Sequence, residues 1–434
     1  MMSPPAPTRL TSLGDSSELE TADAFRLPGR YLFVAGINLA HRLNSPARHL
    51  PIHLASCVEA MDVVGYVNFY GGSPAPAMQR MRRGLHNLFT DHTRITTEGT
   101  VRHITLRRLH LPLTVLDMML QDLWIYALLR GVLAPDYVAA IVAHPDNALL
   151  ATLLKRSGRV HSLIYNDWDY FPAYVGRPWS ALVAQRERLC LRTADAVVSV
   201  SRPLAGLRRE QGARRVITIP NGVEYARFQP SEVAEPAHPP RLIYSGSLDW
   251  RWGIDLAIRA LPLIHREYPD VELWIVGSGK DEARLRELAD ELNVQAAVRF
   301  VGHVPYDDLP KVLHKADIGL ATSRADAFRQ YASPLKVVEY MAAGLPVIAS
   351  GGGETALIIE ESKAGLHVEF TPEAFASAVC GLLADPARLT ELRCAGQAYA
   401  RARDWHQLGK QLARFVATVT NDSFGQPTTD MVGS

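Results

Sequence analysis

Short apolar runs of strand type alternate with helix-period patterns along this chain, and the alternation breaks once, at 230–240 (PSEVAEPAHPP), before it restarts. Ahead of the break the runs lie at 31–36, 63–69, 139–143, 160–165, 196–200 and 216–219. Beyond it they lie at 242–245, 271–276, 298–301, 318–322, 345–349 and 366–370. Runs this apolar fit strands buried on both faces, and strands separated by helices pair in parallel through right-handed crossovers. The pattern predicts an α/β chain of two Rossmann-like, doubly wound domains in series. Such sheets bind ligands beyond the carboxyl ends of their strands, so two of them facing each other leave a cleft.

The expected organisation is a flexible tail at 1–27, a first domain at 28–229, a linker at 230–240 and a second domain at 241–403. A helix at 404–420 then crosses back to the first domain, and a flexible tail follows at 421–434. A helical pattern is expected from Arg48 through Met61, and 75–133 is less regular. With 434 residues the chain exceeds what one core supports. A hydrophobic share of 47% and a net charge of +1 are ordinary for a globular protein and make no bulk electrostatic case for nucleic acid. Cys57, Cys190, Cys380 and Cys394 form no C-x-x-C pair, so buried, reduced thiols in a cytoplasmic protein are expected. The N-terminal segment lacks a basic stretch followed by an apolar core, so no signal peptide is expected. No apolar run reaches the length of a membrane span.

Local signals agree best at 333–350 (SPLKVVEYMAAGLPVIAS). Ser333 is a favoured N-cap, Pro334 suits a first helical position, Leu335, Val338, Met341 and Ala342 form an apolar stripe, and Gly344 with Pro346 stops the helix. A helix start with a lysine in its first turn, Lys336, is a ready anion site. Glu339 follows within two turns, so one helix side offers N–H groups, a cation and then a carboxylate. That order suits a nucleoside diphosphate, with phosphates at the helix end and a ribose diol on the carboxylate.

Glycine-bearing turns end the neighbouring strands. Gly246 and Ser247 precede Arg251, which supplies charge for a phosphate; Gly277 follows Val276, and Val301-Gly-His-Val304 places His303 and Val304 at another strand end. In the first domain, Gly36 and Asn38 follow the first strand, where facing a phosphate and shaping a turn are equally open readings.

Taken in order, Ile219-Pro-Asn-Gly-Val223, the Gly-Ser-Leu turn at 246–248, Val276-Gly-Ser-Gly279, Phe300-Val-Gly-His303, Ala316-Asp317, Ser333-Pro-Leu-Lys336, Glu339-Tyr-Met-Ala-Ala-Gly-Leu-Pro-Val347 and Gly352-Gly-Glu354 carry a resemblance. They resemble the family-four retaining glycosyltransferases (glycosyl transferases group 1) of the GT-B fold, strongly over 195–370 and weakly in the first domain. The resemblance implies a UDP- or GDP-sugar co-substrate with no further cofactor and no required metal. Glu339 then matches the second glutamate of the family's Glu-x7-Glu pattern and takes the ribose hydroxyls. Lys336 and the backbone of Leu335 meet the diphosphate, with Ser333, Gly246, Ser247, Arg251, Gly277, His303, Val304 and Gly36 around the donor. By position, Asp167 or Asn166 stands where the family often carries a histidine near the donor sugar, and His144 ends the preceding strand. An Asx turn for Asp167 and Asn166, and a turn role for His144, stay open beside these catalytic readings.

Three positions depart from the pattern. Tyr331 stands where the first glutamate belongs, Ser247 where an arginine follows the glycine of the phosphate turn, and Trp252 where a lysine precedes the next glycine. Arg251, beside Lys336, is the expected compensating charge.

The resemblance further implies transfer to an acceptor hydroxyl on a glycan, a lipid-linked acceptor or a small molecule. A nucleotide-sugar epimerase and a non-catalytic partner of another transferase are the alternatives. Residues 28–205 hold 19 Lys and Arg against 12 Asp and Glu, with clusters near Arg80 and Arg107. That excess fits either a solvated basic face or a peripheral contact with an anionic membrane surface. Asp167 and Asp169 are spaced as a metal pair is, but no metal is expected.

Overall fold

The computed structural model describes residues 26–35, 46–67, 93–107, 114–173, 175–176, 179–230, 239–324, 326 and 328–423. Gly36, Asn38, Arg80 and most of the expected tails and linker lie outside the described residues.

Two sheets organise these residues. The first runs β3-β4-β2-β1-β5-β6-β7-β8, built from β1 (Leu27–Val34), β2 (Val58–Val67), β3 (Thr93–Glu98), β4 (Val101–Arg107), β5 (Tyr137–Ala143), β6 (Val160–Asp167), β7 (Ala196–Ser199) and β8 (Val216–Thr218). Every pairing in it is parallel except β3 with β4. The second sheet runs β11-β10-β9-β12-β13-β14 and is wholly parallel: β9 (Arg241–Ser245), β10 (Glu272–Val276), β11 (Val298–Gly302), β12 (Ile318–Ala321), β13 (Val347–Ser350) and β14 (Gly365–Val368). The α/β, doubly wound class read from the alternation is the observed one.

The central strands are apolar because helices cover both of their faces. Leu32 and Val34 of β1 pack with Ile125, Leu129 and Leu150 on one side, while Tyr31 and Phe33 pack with Leu50 and Leu54 on the other. Each such fully buried side chain contributes roughly 1.5–3 kcal/mol of burial energy.

Two expectations change. The helix that begins at Pro46 ends at Ala55, and Met61 lies within β2, because Cys57 turns the chain and Val58 already pairs with Leu27. The irregular stretch contains the antiparallel β3–β4 pair, whose edge strand Thr93–Glu98 is exposed along most of its length and carries no apolar alternation.

The last helix, Trp405–Ser423, returns to the first sheet. Trp405, Leu408, Leu412, Val416 and Val419 recur at helical spacing and share a core with Tyr31, Phe33, Leu50 and Leu54. His49 lies flat on Trp405, with ring centres 4.9 Å apart. Gly409 lets this helix approach helix Pro46–Ala55 closely, since a Cβ there would meet His53 Cβ at 2.3 Å. Cys57, Cys190 and Cys380 are buried free thiols, whereas Cys394, expected to be buried, is exposed.

Candidate functional site

In the second sheet the chain builds β9, β10 and β11 outward in one direction and then crosses back to place β12 on the other side of β9. This reversal opens a crevice at the strand ends. A cleft of about 800 Å³ lies there, lined by Ser245 at the end of β9, Gly246 and Ser247 after it, Gly277 after β10, His303 and Val304 after β11, and Thr322 after β12. Asp169 and Asn221, which follow β6 and β8 of the first sheet, complete the wall.

The two glycine turns touch. Gly277 has φ +130°, and a Cβ on it would sit 1.9 Å from the Gly246 carbonyl oxygen; a Cβ on Gly246 would approach Lys336 Nζ to 3.0 Å. A side chain at either position would block one turn or the space above it.

The helix Leu335–Ala342 starts at this cleft and is fixed from below, where Tyr340 Oη accepts a hydrogen bond from Ser245 N at 2.6 Å. Its N-cap is Pro334, and no side chain caps it. The expected cap, Ser333, is occupied elsewhere: its hydroxyl accepts from Asn221 N at 3.2 Å and its carbonyl from Asn221 Nδ2 at 2.6 Å. Pro334 is extended, with ψ 116°, so the helix begins one residue later than the cap pattern predicts. The first turn of a helix has N–H groups without intrahelical partners, and here no side-chain oxygen covers them.

Leu335, Lys336 and Glu339 all line the cleft. Lys336 Nζ makes no hydrogen bond; it lies 3.9 Å from the centre of the Tyr244 ring and 4.7 Å from that of Trp252. Burial pushes its ammonium down to about 7, the Arg329 guanidinium pushes the same way, and Glu339 opposes both. Glu339 is buried, 6% exposed, one turn along the helix.

The expected compensating charge does not face this space. Arg251 is bound to Asp249, Nε to Oδ1 at 3.1 Å, and is absent from the cleft lining. Arg329 lines the cleft instead, its guanidinium 3.8 Å from the Trp252 ring centre. No periodicity marks that residue in the sequence, because it sits in the irregular segment between β12 and the helix.

On the opposite wall, Asp167, Asn166 and His144 do not line the cleft. Asp167 ends β6 fully buried and receives Arg208 Nε at 2.7 Å and Nη2 at 3.1 Å. Asn166 is likewise buried. His144 accepts from Asp146 N at 3.1 Å and packs its ring on Phe171, 4.1 Å between centres, in the turn role left open above. The half-buried residue that reaches the cleft is Asp169. Tyr331, at the position of the missing glutamate, leans on Tyr170, which follows β6, with ring centres 5.0 Å apart. Its carbonyl accepts from Ser201 Oγ at 2.5 Å, and Glu354 accepts from Arg202 N at 2.9 Å. These contacts join the segment after β7 to the second sheet. Among the described residues no group of three His, Cys, Asp or Glu is placed to hold a metal ion.

Comparison with known proteins places this architecture. The model of the family glycosyl transferases group 1 matches residues 226–403. A glycogen synthase of Mycobacterium tuberculosis is 27% identical over 315 residues, covering 69% of this chain and 72% of that protein. A GDP-mannose-dependent alpha-(1-6)-phosphatidylinositol monomannoside mannosyltransferase of Mycolicibacterium smegmatis is 31% identical over 211 residues, 46% of this chain and 55% of that protein. The solved sucrose-phosphate synthase of Thermosynechococcus elongatus superposes with a TM-score of 0.68 at 21% identity, covering 92% of this chain and 100% of that one. The match to the glycosyl transferases group 1 thus lies on the part of the chain that builds the cleft, residues 226–403, and the chain is a glycosyltransferase of the GT-B fold.

Proposed function

We propose that the chain moves a sugar, with retention of configuration, from a UDP- or GDP-sugar to an acceptor hydroxyl. The observation that carries this reading is the uncapped start of helix Leu335–Ala342, which faces the same cleft as Lys336 and Glu339. N–H groups and an ammonium meet a diphosphate, and a carboxylate one turn on accepts from the two ribose hydroxyls.

The reaction then needs little beyond placement. The acceptor oxygen attacks the anomeric carbon from the face the diphosphate leaves. The carbon–oxygen bond to phosphate breaks, and the departing phosphate oxygen takes the acceptor proton. Helix N–H groups and the buried cations stabilise the charge that grows on that oxygen. Asp169 is the first-sheet carboxylate that we assign to the sugar side, since it reaches the cleft where Asp167 does not. Contacts such as Ser201 with Tyr331 hold the two walls together over the donor and limit its hydrolysis by water.

A lipid-linked acceptor is favoured by the first domain. Leu120 and Leu123 on helix Thr114–Arg130 are exposed apolar side chains in a domain with a basic excess, a combination suited to an anionic membrane surface. No described helix is long and apolar enough to cross a membrane.

The test is incubation with UDP- and GDP-sugars, with and without candidate acceptors, reading the anomeric configuration of the product by NMR. Transfer with retained configuration supports the reading. Isomerised donor without transfer supports an epimerase, and inverted product removes the same-face mechanism.

A further inference from the structure

Two cations sit in the cleft wall with their hydrogen-bonding capacity unspent. Lys336 Nζ has no hydrogen bond, and neither do Nε and Nη1 of Arg329, a residue only 6% exposed. Both pack on one indole: Arg329 lies 3.8 Å and Lys336 4.7 Å from the Trp252 ring centre. The Arg329 guanidinium weakens the hold of Lys336 on its proton. The opposing carboxylates are few: Asp326 lies 3.4 Å from Arg329 Nε, and Glu339 acts on Lys336. Arg251 adds repulsion on Arg329, and Asp249 weakly offsets it. Burying cations without hydrogen-bonded partners costs free energy unless a ligand supplies the missing acceptors.

Described residues on either side of Arg329 are held by contacts within the protein. Arg324 binds Asp255 through two contacts of 2.7 Å, and Thr322 Oγ1 donates to the Trp252 carbonyl at 3.0 Å. Asp326 Oδ1 accepts from Arg329 N at 2.7 Å. The phosphate turn itself offers no cation at Ser247 or Trp252, and Arg251 is taken by Asp249.

We propose that Arg329, laid on Trp252 and acting with Lys336, binds the diphosphate and makes the cleft select a nucleoside diphosphate over a monophosphate. A planar guanidinium on an indole keeps its edge free for two oxygens, while Lys336 acts as a point charge beside it. Trp252 thereby serves as the platform that presents a cation supplied from a different loop. The assignment rests on the nucleotide-sugar reading of the cleft.

Calorimetric titration of the full chain with UDP, UMP, GDP and GMP tests it. The wild type is expected to bind one diphosphate at least about tenfold more tightly than its monophosphate. Arg329→Gln lowers the diphosphate affinity by about tenfold or more and leaves the monophosphate nearly unchanged. Arg329→Lys recovers part of the preference, and adding Ser247→Arg to Arg329→Gln recovers it from the exposed side of the turn. Circular dichroism melting checks that each variant is folded; if Arg329→Gln is not, Arg329→Lys and Trp252→Leu carry the test. Preserved discrimination in a folded Arg329→Gln chain overturns the assignment and leaves the nucleotide reading standing, as does an equal loss for both nucleotide classes. A wild type that binds no nucleotide overturns both.

Discussion

Asn221 holds Ser333 by two hydrogen bonds, its side-chain amide donating to the Ser333 carbonyl at 2.6 Å and its backbone N–H to the hydroxyl at 3.2 Å. Asn221 follows β8 of the first sheet and Ser333 precedes the helix that faces the cleft, so the pair ties the exit of one domain to the ligand-facing end of the other. It also explains why the serine does not cap the helix.

Asn221→Ala is predicted to raise the donor KM several-fold with less effect on kcat. Losing partners for a half-buried carbonyl costs about 1–3 kcal/mol and frees the helix entrance. Steady-state kinetics at saturating acceptor check this; an unchanged KM would show that the tether does not position the donor site.

Lys336 makes donor binding depend on pH. With its ammonium near 7 in the empty cleft, the site loses positive charge as pH rises through neutrality, and a bound diphosphate favours the protonated form. UDP or GDP affinity is therefore predicted to fall between pH 6 and pH 9, with proton uptake on binding detectable by titration in buffers of different ionisation enthalpy. The stability of the empty protein responds in the opposite sense. The unfolded lysine holds its proton up to a higher pH than the folded one, so this group's destabilisation is complete below about 7 and fades as pH rises above it. Lys336→Met should accordingly raise the melting temperature more at pH 6 than at pH 10.

Asp167 and Asp169 are predicted to separate structure from function. Asp167→Ala leaves Arg208 with Glu187 as its remaining buried carboxylate and is expected to cost about 3–5 kcal/mol in chemical denaturation. Asp169→Ala should lower transfer while shifting the denaturation midpoint far less than Asp167→Ala does. The reverse pattern would return the catalytic role to Asp167.

The C-terminal helix is predicted to be part of the first domain's stability. Gly409→Val places a branched side chain where even a Cβ meets His53 at 2.3 Å, so helix Trp405–Ser423 must lift from helix Pro46–Ala55. Hydrogen exchange should show loss of protection in both helices; protection lost only near residue 409 would mean the brace is local.

The strands of both sheets were legible because apolar runs between helices have one efficient solution, a parallel sheet with both faces covered. The edge pair β3–β4 was not, since Thr93–Glu98 is exposed and lacks the alternation that marks a half-buried strand. In the site, glycine turns and the Ser333–Glu339 run located the cleft, whereas side-chain direction escaped the sequence. Asp167 and Asp169 are two residues apart, yet one ends a strand against Arg208 and the other reaches the cleft beyond it. Arg251 lies nearest the phosphate turn along the chain but is captured by Asp249, while Arg329 arrives from a loop seventy-seven positions later than Trp252. Both outcomes depend on tertiary neighbours that no local pattern encodes.

The most direct test of the whole account is Glu339→Ala, assayed for transfer from the preferred nucleotide sugar alongside its circular dichroism melt. The expected result is a folded protein that loses transfer by about a hundredfold or more together with nucleotide binding, because buried hydrogen bonds to a ribose diol disappear. A folded variant that transfers sugar at the wild-type rate would contradict the central claim that helix Leu335–Ala342 holds the donor.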